Sequence, residues 1–405
     1  MQLSFSTYYT LICAALVLLA GKFLVHRIRF LRDFNIPEPV AGGLLAAAVI
    51  FTIHEFTGYS FTFSSELQTG FMLLFFASIG LSANFAKLRA GGTGLVFFLV
   101  IIAVFILVQN TVGMGLATIM GLDPLIGLIA GSITLVGGHG TAGAWGVVLE
   151  TEHGVQGAVT LGIACATFGL VIGGLIGGPL AKGLITRHRL SNPAASAADT
   201  TAAQSSDANF ENPQKVRLIT TEAAIETLAL FAACLGFAEF MTAFSRGTFF
   251  QLPTFVWALG GGVILRNTLN YLFNFQVFDR AIDLFGNVGL SVYLAIALLS
   301  LKLWELSGLA APLMVILLAQ TLTMALYAAF VTFRMMGKDY DAAVLAAGHC
   351  GFGMGATPTA IANMQAITNQ YGPSHKSFLI VPMVGAFFID IVNAAMIQLF
   401  IKLLP

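Results

Sequence analysis

The chain has 405 residues, of which 57% are hydrophobic and only 9% charged, and its formal net charge is zero. An average soluble domain is about 25% charged. So little charge cannot cover the surface of a soluble protein of this length, and a zero net charge offers no basic face to nucleic acid.

Continuous apolar runs such as "GLVFFLVIIAVFILVQNTVGMGLATIM" exceed the roughly 18 residues that mark a membrane span, and they do not alternate as β-barrel strands do. The reading is an all-α polytopic membrane protein. The N-terminal segment is no cleavable signal, because it lacks a basic start and its first span ends in "HRIRFLR" with no small-residue cleavage site. Spans are predicted at 8–28, 37–57, 67–86, 94–119 and 157–182, then at 218–243, 252–270, 281–302, 308–334 and 377–402. Two more apolar pieces, 123–150 and 339–370, are broken near their middles by glycine and polar residues. Cys13, Cys165, Cys234 and Cys350 show no CxxC spacing and read as packing residues.

Five spans per half, with each broken piece returning to its own side, can be tested against the basic residues. Of the 19 Lys and Arg, all but Arg246, Lys302 and Lys402 then fall on one side. By the positive-inside rule that side is the cytoplasm, and both termini are periplasmic. The stretch 191–214, "SNPAASAADTTAAQSSDANFENPQ", reads as a flexible cytoplasmic linker between residues 1–190 and 215–405.

The halves resemble each other. "GLDPLIGLIAGSITLVGGHGTAGAW" lies over "GKDYDAAVLAAGHCGFGMGATPTAI" at an offset of 216, which also puts Pro37 on Pro253, Val40 on Val256 and Gly169 on Gly385. An odd span count makes the second repeat upside down, and inverted repeats with interrupted helices are a transporter pattern. Irregular backbone in hydrocarbon persists only inside protein or beside a water-filled cavity. The broken pieces are therefore expected to be re-entrant hairpins whose tips meet near the midplane.

The tips suit an anion. Gly137, Gly138 and Gly140 permit close backbone approach. Thr357 reads as the N-cap and Pro358 as the first residue of a restarting helix, with Thr141 in the equivalent place of the first hairpin. Free N–H groups at two half-helix N-termini would hold a carboxylate. The substrate candidates are Gly137, Gly138, His139, Gly140, Thr141, Gly353, Gly355, Ala356, Thr357, Thr359, Asn363 and Asp390. Asp390, in the last span, is an intramembrane acid suited to a cation or an ammonium. Asn393 follows at i+3 and, with Asp390, Thr134 and Ser132, makes the sodium candidates. His139 and His349 have either a proton-handling or a structural role. Asn110, Asn287 and Gln320 read as interhelical hydrogen bonds, and "GGLIGG" at 173–178 as close helix packing. No HExxH, Walker or GxSxG motif is present, so the chain does not read as an enzyme.

The stretches "IPEPVAGGLL", "LRAGG", "GGHGT", "ACATFGLVIGGLIGGP", "YDAAVLAAGHCGFG", "GATPTAIANMQAIT" and "VPMVGAFFIDIVNA" resemble the bacterial glutamate:sodium symporter family from about residue 20 to the end. The resemblance implies Na+-driven uptake of L-glutamate across a bacterial inner membrane, two inverted five-span repeats with re-entrant hairpins, a homodimer and an elevator-type motion. The choice of Na+ over a proton rests on it. A citrate- or malate-type symporter is the nearest rival. The absence of arginine from the tips and the presence of Asp390 favour an amino acid. An ion channel is the rival of another class.

Overall fold

The computed structural model describes residues 2–34, 36–86, 92–190, 219–248, 251–275, 277–301 and 309–404. The predicted linker 191–214 and part of "LRAGG" lie outside them. The described residues are helical nearly throughout. The first half holds α1 (Thr7–Arg27), α2 (Arg29–Asp33), α3 (Glu38–Thr57), α4 (Ser65–Ser82), α5 (Gly92–Ile119), α6 (Pro124–Leu128), α7 (Gly138–His153) and α8 (Ala158–His188). The second holds α9 (Thr221–Phe244), α10 (Thr254–Phe273), α11 (Asp279–Leu299), α12 (Ala310–Met335), α13 (Tyr340–Met354), α14 (Thr357–Tyr371), α15 (His375–Met383) and α16 (Ile389–Leu403). Three π-helical turns interrupt this pattern, Ile129–Ile133 after α6, Ala328–Thr332 within α12 and Val384–Phe388 between α15 and α16.

Among the described residues, seven helices are long and apolar enough to cross a membrane: α1, α3, α5, α8, α9, α11 and α12. The other three predicted spans fall on α4, which opens with the polar run "SELQTG", on α10, which closes with "RNTLNY", and on α15–α16, which a π turn divides. The protein is a multi-pass membrane protein. A feature the sequence reading lacks is a small parallel ribbon, β1 (Gln2–Ser4) on β2 (Ser60–Thr62), with Leu3 opposite Phe61.

Helix starts follow the chain's local chemistry. Pro37 and Pro253, the pair matched by the repeat offset, both sit in extended backbone just before α3 and α10, where a fixed φ and a missing N–H cost nothing. The helices sort into two groups by packing. In one, α3 lies on α1 and α11, while α10 lies on α9 and α4. The pairing is reciprocal: the second long helix of each half packs on the third long helix of the other. Close approach needs glycine here, since a side chain on Gly42 would strike the Val17 carbonyl and one on Gly80 the Leu259 carbonyl. Buried Arg266 of α10 also pairs with Asp279 at 2.5 Å.

The other group holds α5 to α8 and α12 to α16, around one continuous apolar core that includes Phe98, Phe105, Trp145, Phe333 and Phe352. Within it α8 packs on α7, α13 and α14, and α5 packs on α6, α12 and α16. The groups meet along a seam where α11 touches α7, α4 touches the π turn after α15, and α10 touches α16.

Candidate functional site

Both broken pieces fold as helix–break–helix units. In the first, Asp123 caps α6, accepting from Leu125 N at 2.8 Å. The π turn then loses helical geometry at Gly131 (φ −105, ψ −135). Ser132 N finds a substitute partner in Asn110 Oδ1 of α5 at 2.9 Å. The chain restarts as α7 at Gly138, whose φ of +64 favours glycine. In the second, Asp339 caps α13 through Ala342 N at 2.7 Å. The helix runs to Met354, Gly355 breaks it with φ −154 and ψ −93, Ala356 is extended, and α14 begins at Thr357.

The tips meet. A Cβ built on Gly138 would lie 3.5 Å from the Gly355 carbonyl oxygen. Between them and the seam lies a cavity of about 400 Å³, a volume suited to a small organic ligand. Gly137, Gly138, His139 and Gly140 line one part of it, and Gly355, Ala356, Thr357, Pro358 and Thr359 another. Asp390 and Gly385 face it from beyond α15, while Phe75, Ile79, Asn287 and Leu290 close it from α4 and α11. No lysine or arginine lines it, and Asp390 is its one carboxylate, with no hydrogen-bond partner among the described residues.

The first turns of α7 and α14 both border this cavity, and neither N-cap carries a side-chain hydrogen bond. Two uncapped helix N-termini give one space several N–H donors and two positive dipole ends. Thr357 is not the N-cap. Ala356 takes that position, and Thr357 is already helical, with its hydroxyl donating to the Gly385 carbonyl at 2.5 Å. The preference of the residue before proline for extended backbone gives way here to that bond across the break. Thr359 is buried and its Oγ1 has no partner. A buried polar group left unmatched costs about 1–3 kcal/mol.

Thr141, Gly353, Asn363 and His349 sit away from the cavity, while His139 lines it. Thr141 is buried under the tip, its Cβ against Gly137. The Gly353 carbonyl accepts from Gln109 Nε2 at 3.2 Å. Asn363 Nδ2 donates to the carbonyls of Gly173 and Ala347 at 2.8 and 3.3 Å, stitching α14 to α8 and α13. His139 Nε2 lies 3.0 Å from Thr167 Oγ1, tying the first tip to α8. His349 Nδ1 lies 2.9 Å from Thr332 Oγ1, and rings of Phe98, Phe105, Tyr327 and Phe352 surround it. Among the sodium candidates, Asp390 faces the cavity and Thr134 donates its hydroxyl to Ile129 O at 2.7 Å. Ser132 and Asn393 meet each other, Asn393 Nδ2 donating to Ser132 O at 2.9 Å.

Asn110 and Gln320 make the interhelical bonds expected of them, the latter donating to Gln109 O at 2.8 Å. Asn287 instead lines the cavity. Its local context, an amide between two glycines in "FGNVG", does not set it apart from a packing amide.

Comparison with known proteins gives a consistent result. A family model described as sodium/glutamate symporter matches residues 3–373. A sodium/glutamate symporter of Haemophilus influenzae is 54% identical over 399 residues, 98% of each chain. Those of Escherichia coli and Shigella flexneri are 53% identical over 397 residues, again 98% of each.

Proposed function

The chain belongs to the sodium/glutamate symporter family, and we propose that it imports L-glutamate together with Na+ through the cavity between the two helix–break–helix tips. The observation that carries this is the convergence of two uncapped helix N-termini and one unpaired carboxylate, Asp390, on a single cavity. The N-termini take the substrate's carboxylates and Asp390 takes its ammonium. A di- or tricarboxylate leaves Asp390 facing like charge, with no arginine in the wall to offset it. The substrate-binding set is Gly137 to Gly140 and Gly355 to Thr359 with Asp390, and Asn287 joins it. Thr141, Gly353 and Asn363 serve from behind by holding the tips. Na+ is the coupling ion.

The architecture we propose is two five-span repeats of opposite orientation, each with a re-entrant hairpin, divided by the linker 191–214. The reciprocal helix pairing, the matched starts at Pro37 and Pro253 and the Asp caps at Asp123 and Asp339 support it. Both termini are then periplasmic and the linker cytoplasmic, in a bacterial inner membrane. The sparse seam, with the cavity on it, favours an elevator-type motion of the group that carries the tips against the other. A homodimer is expected from the family resemblance.

The test is uptake into proteoliposomes. Saturable glutamate accumulation that requires an inward Na+ gradient, with citrate and malate failing to compete, fits the reading. Uptake without saturation indicates a channel and refutes it. Bound glutamate should also protect single cysteines at positions 138 and 355 from thiol reagents. Protection at one tip alone would refute the shared site. A cysteine at Ser196 should react with an impermeant reagent only from the cytoplasm, and one at Glu152 only from the periplasm.

A further inference from the structure

One buried polar cluster lies outside the cavity and has more acceptors than donors. Gln109 and Asn110 of α5, Ser132 of the π turn, Gln320 of α12 and Asn393 of α16 are all buried, none more than 1% exposed. Each keeps one side-chain atom without a partner: Gln109 Oε1, Asn110 Nδ2, Ser132 Oγ, Gln320 Oε1 and Asn393 Oδ1. Four of the five are oxygens. The bonds that are made leave these oxygens over. Asn110 takes the Ser132 N–H, Asn393 Nδ2 takes the Ser132 carbonyl, and Gln320 Nε2 takes the Gln109 carbonyl. The cluster also sits where the backbone is least regular, at the non-helical Gly131. Unmatched oxygens in a membrane interior need an electropositive guest.

We infer that this junction is the site of the coupling Na+, with Ser132 Oγ and Asn393 Oδ1 as its side-chain ligands. The inference rests on the sodium-symport reading and gives that ion a place. The chemistry selects the guest. The ligands are neutral hard oxygens, which suit an alkali cation, whereas Ca2+ and Mg2+ sites bring carboxylates. No group in the cluster titrates near neutral pH, so it cannot store a proton. Asn110 acts as the holder: its oxygen is spent on Ser132 N, which fixes the turn that presents Ser132 Oγ.

The position also explains coupling. Asn393 stands one turn from Asp390 on α16. Gln109, beside Asn110, donates through Nε2 to the carbonyl of Gly353, two residues before Gly355 of the second tip. An ion at Ser132 and Asn393 therefore fixes the first hairpin's turn, the helix carrying Asp390 and the contact to the second tip together. Glutamate then meets a finished site only when the ion is bound, and by linkage each tightens the other.

The test uses purified full-length protein, with glutamate binding titrated over Na+ at constant ionic strength in choline, and thermal melting in Na+ alone. Ser132→Ala removes one unpartnered oxygen and leaves every assigned hydrogen bond in place. The expected result is a rise of about tenfold in the half-saturating Na+ concentration. Glutamate affinity at saturating Na+ should stay near wild type, and the Na+-induced rise in melting temperature should be lost. If this variant does not fold, Ser132→Cys carries the same comparison, because it keeps the backbone bonds of Ser132 and replaces a hard oxygen with a sulfur that binds Na+ poorly. An unchanged Na+ titration and melting shift would overturn the site and leave the cluster as packing or bound water. Weak glutamate binding at every Na+ concentration, with the Na+ melting shift intact, would also overturn it. Wild-type binding with no Na+ dependence is a separate outcome: it sinks the symport reading itself.

Discussion

The two helix–break–helix units end in the same cavity but hold their shapes by different means. The first is stapled by side chains from elsewhere. Asn110 and Asn393 take the N–H and carbonyl of Ser132, Tyr293 Oη donates to Gly140 O at 3.2 Å, and His139 meets Thr167. The second has side-chain bonds too, from Gln109 Nε2 to Gly353 O and from Thr357 Oγ1 to Gly385 O, but its turn adds steric fit. A side chain on Gly351 would strike the backbone at Ala360, and α14 restarts on Pro358. A glycine-rich chain has many conformations and needs polar anchors to select one. A proline-started helix arrives with its φ already set. The first unit should therefore fail when its backbone freedom or its staples are removed, and the second when it is overfilled.

Gly138→Val is the strongest way to break the comparison. A β-branched residue at φ +64 carries strain on the order of 1–3 kcal/mol and also blocks the approach to Gly355. Glutamate affinity, measured by calorimetry, should fall roughly 100-fold or more. Asp390→Asn serves both tips. It keeps the shape and loses a charge-assisted bond worth about 1.5–3 kcal/mol. Coupled uptake in proteoliposomes should drop by roughly 10- to 100-fold, with the protein still folded and inserted. Wild-type Na+ and glutamate dependence would reduce Asp390 to packing.

Gly355→Val tests the second unit. Its φ is −154, so the positive-φ penalty of Gly138 is absent. The new Cβ lies 3.0 Å from Gly351 O and 3.1 Å from the Leu170 Cα. Overpacking of this kind costs about 1–3 kcal/mol, and binding should weaken about tenfold, less than for Gly138→Val. Gly355→Ala should show most of that loss while Gly138→Ala is limited by φ, which separates crowding from strain. Thr357→Ala is the mildest. It removes only the bond to Gly385 O, about 0.5–1.5 kcal/mol, and a two- to tenfold loss of affinity is expected. A larger loss would place the hydroxyl on the substrate.

Hydropathy made the long helices legible, and the glycine runs at 137–140 and 351–355 marked the breaks. Asp390 stood out because an acid in a long apolar run is costly. The grouping of helices was not legible, since it depends on which faces of α4 and α11 meet which partners, and nearly all those faces are apolar. Asn287 was misjudged for that reason: its sequence context is that of a packing amide, and only the turn of α11 points it at the tips. Gln109 was hidden inside "ILVQNTVG", where nothing local distinguishes it from a helix-pairing glutamine. The shift of the N-cap from Thr357 to Ala356 depends on Gly385, 28 residues further along the chain.

The glycines of α8 carry a mechanical consequence. Gly169, Gly173 and Gly177 recur every fourth residue on one face, and side chains there would meet Met354 O, Cys350 O and the Asn363 side chain. The second helix–break–helix unit thus lies close against α8, its backbone at two of these contacts and the Asn363 side chain at the third. In the elevator-type motion proposed above, contacts this close would make the unit travel with α8 as freight. The opposite wall, where Phe75, Ile79 and Leu290 present apolar side chains, would then be the place for a door.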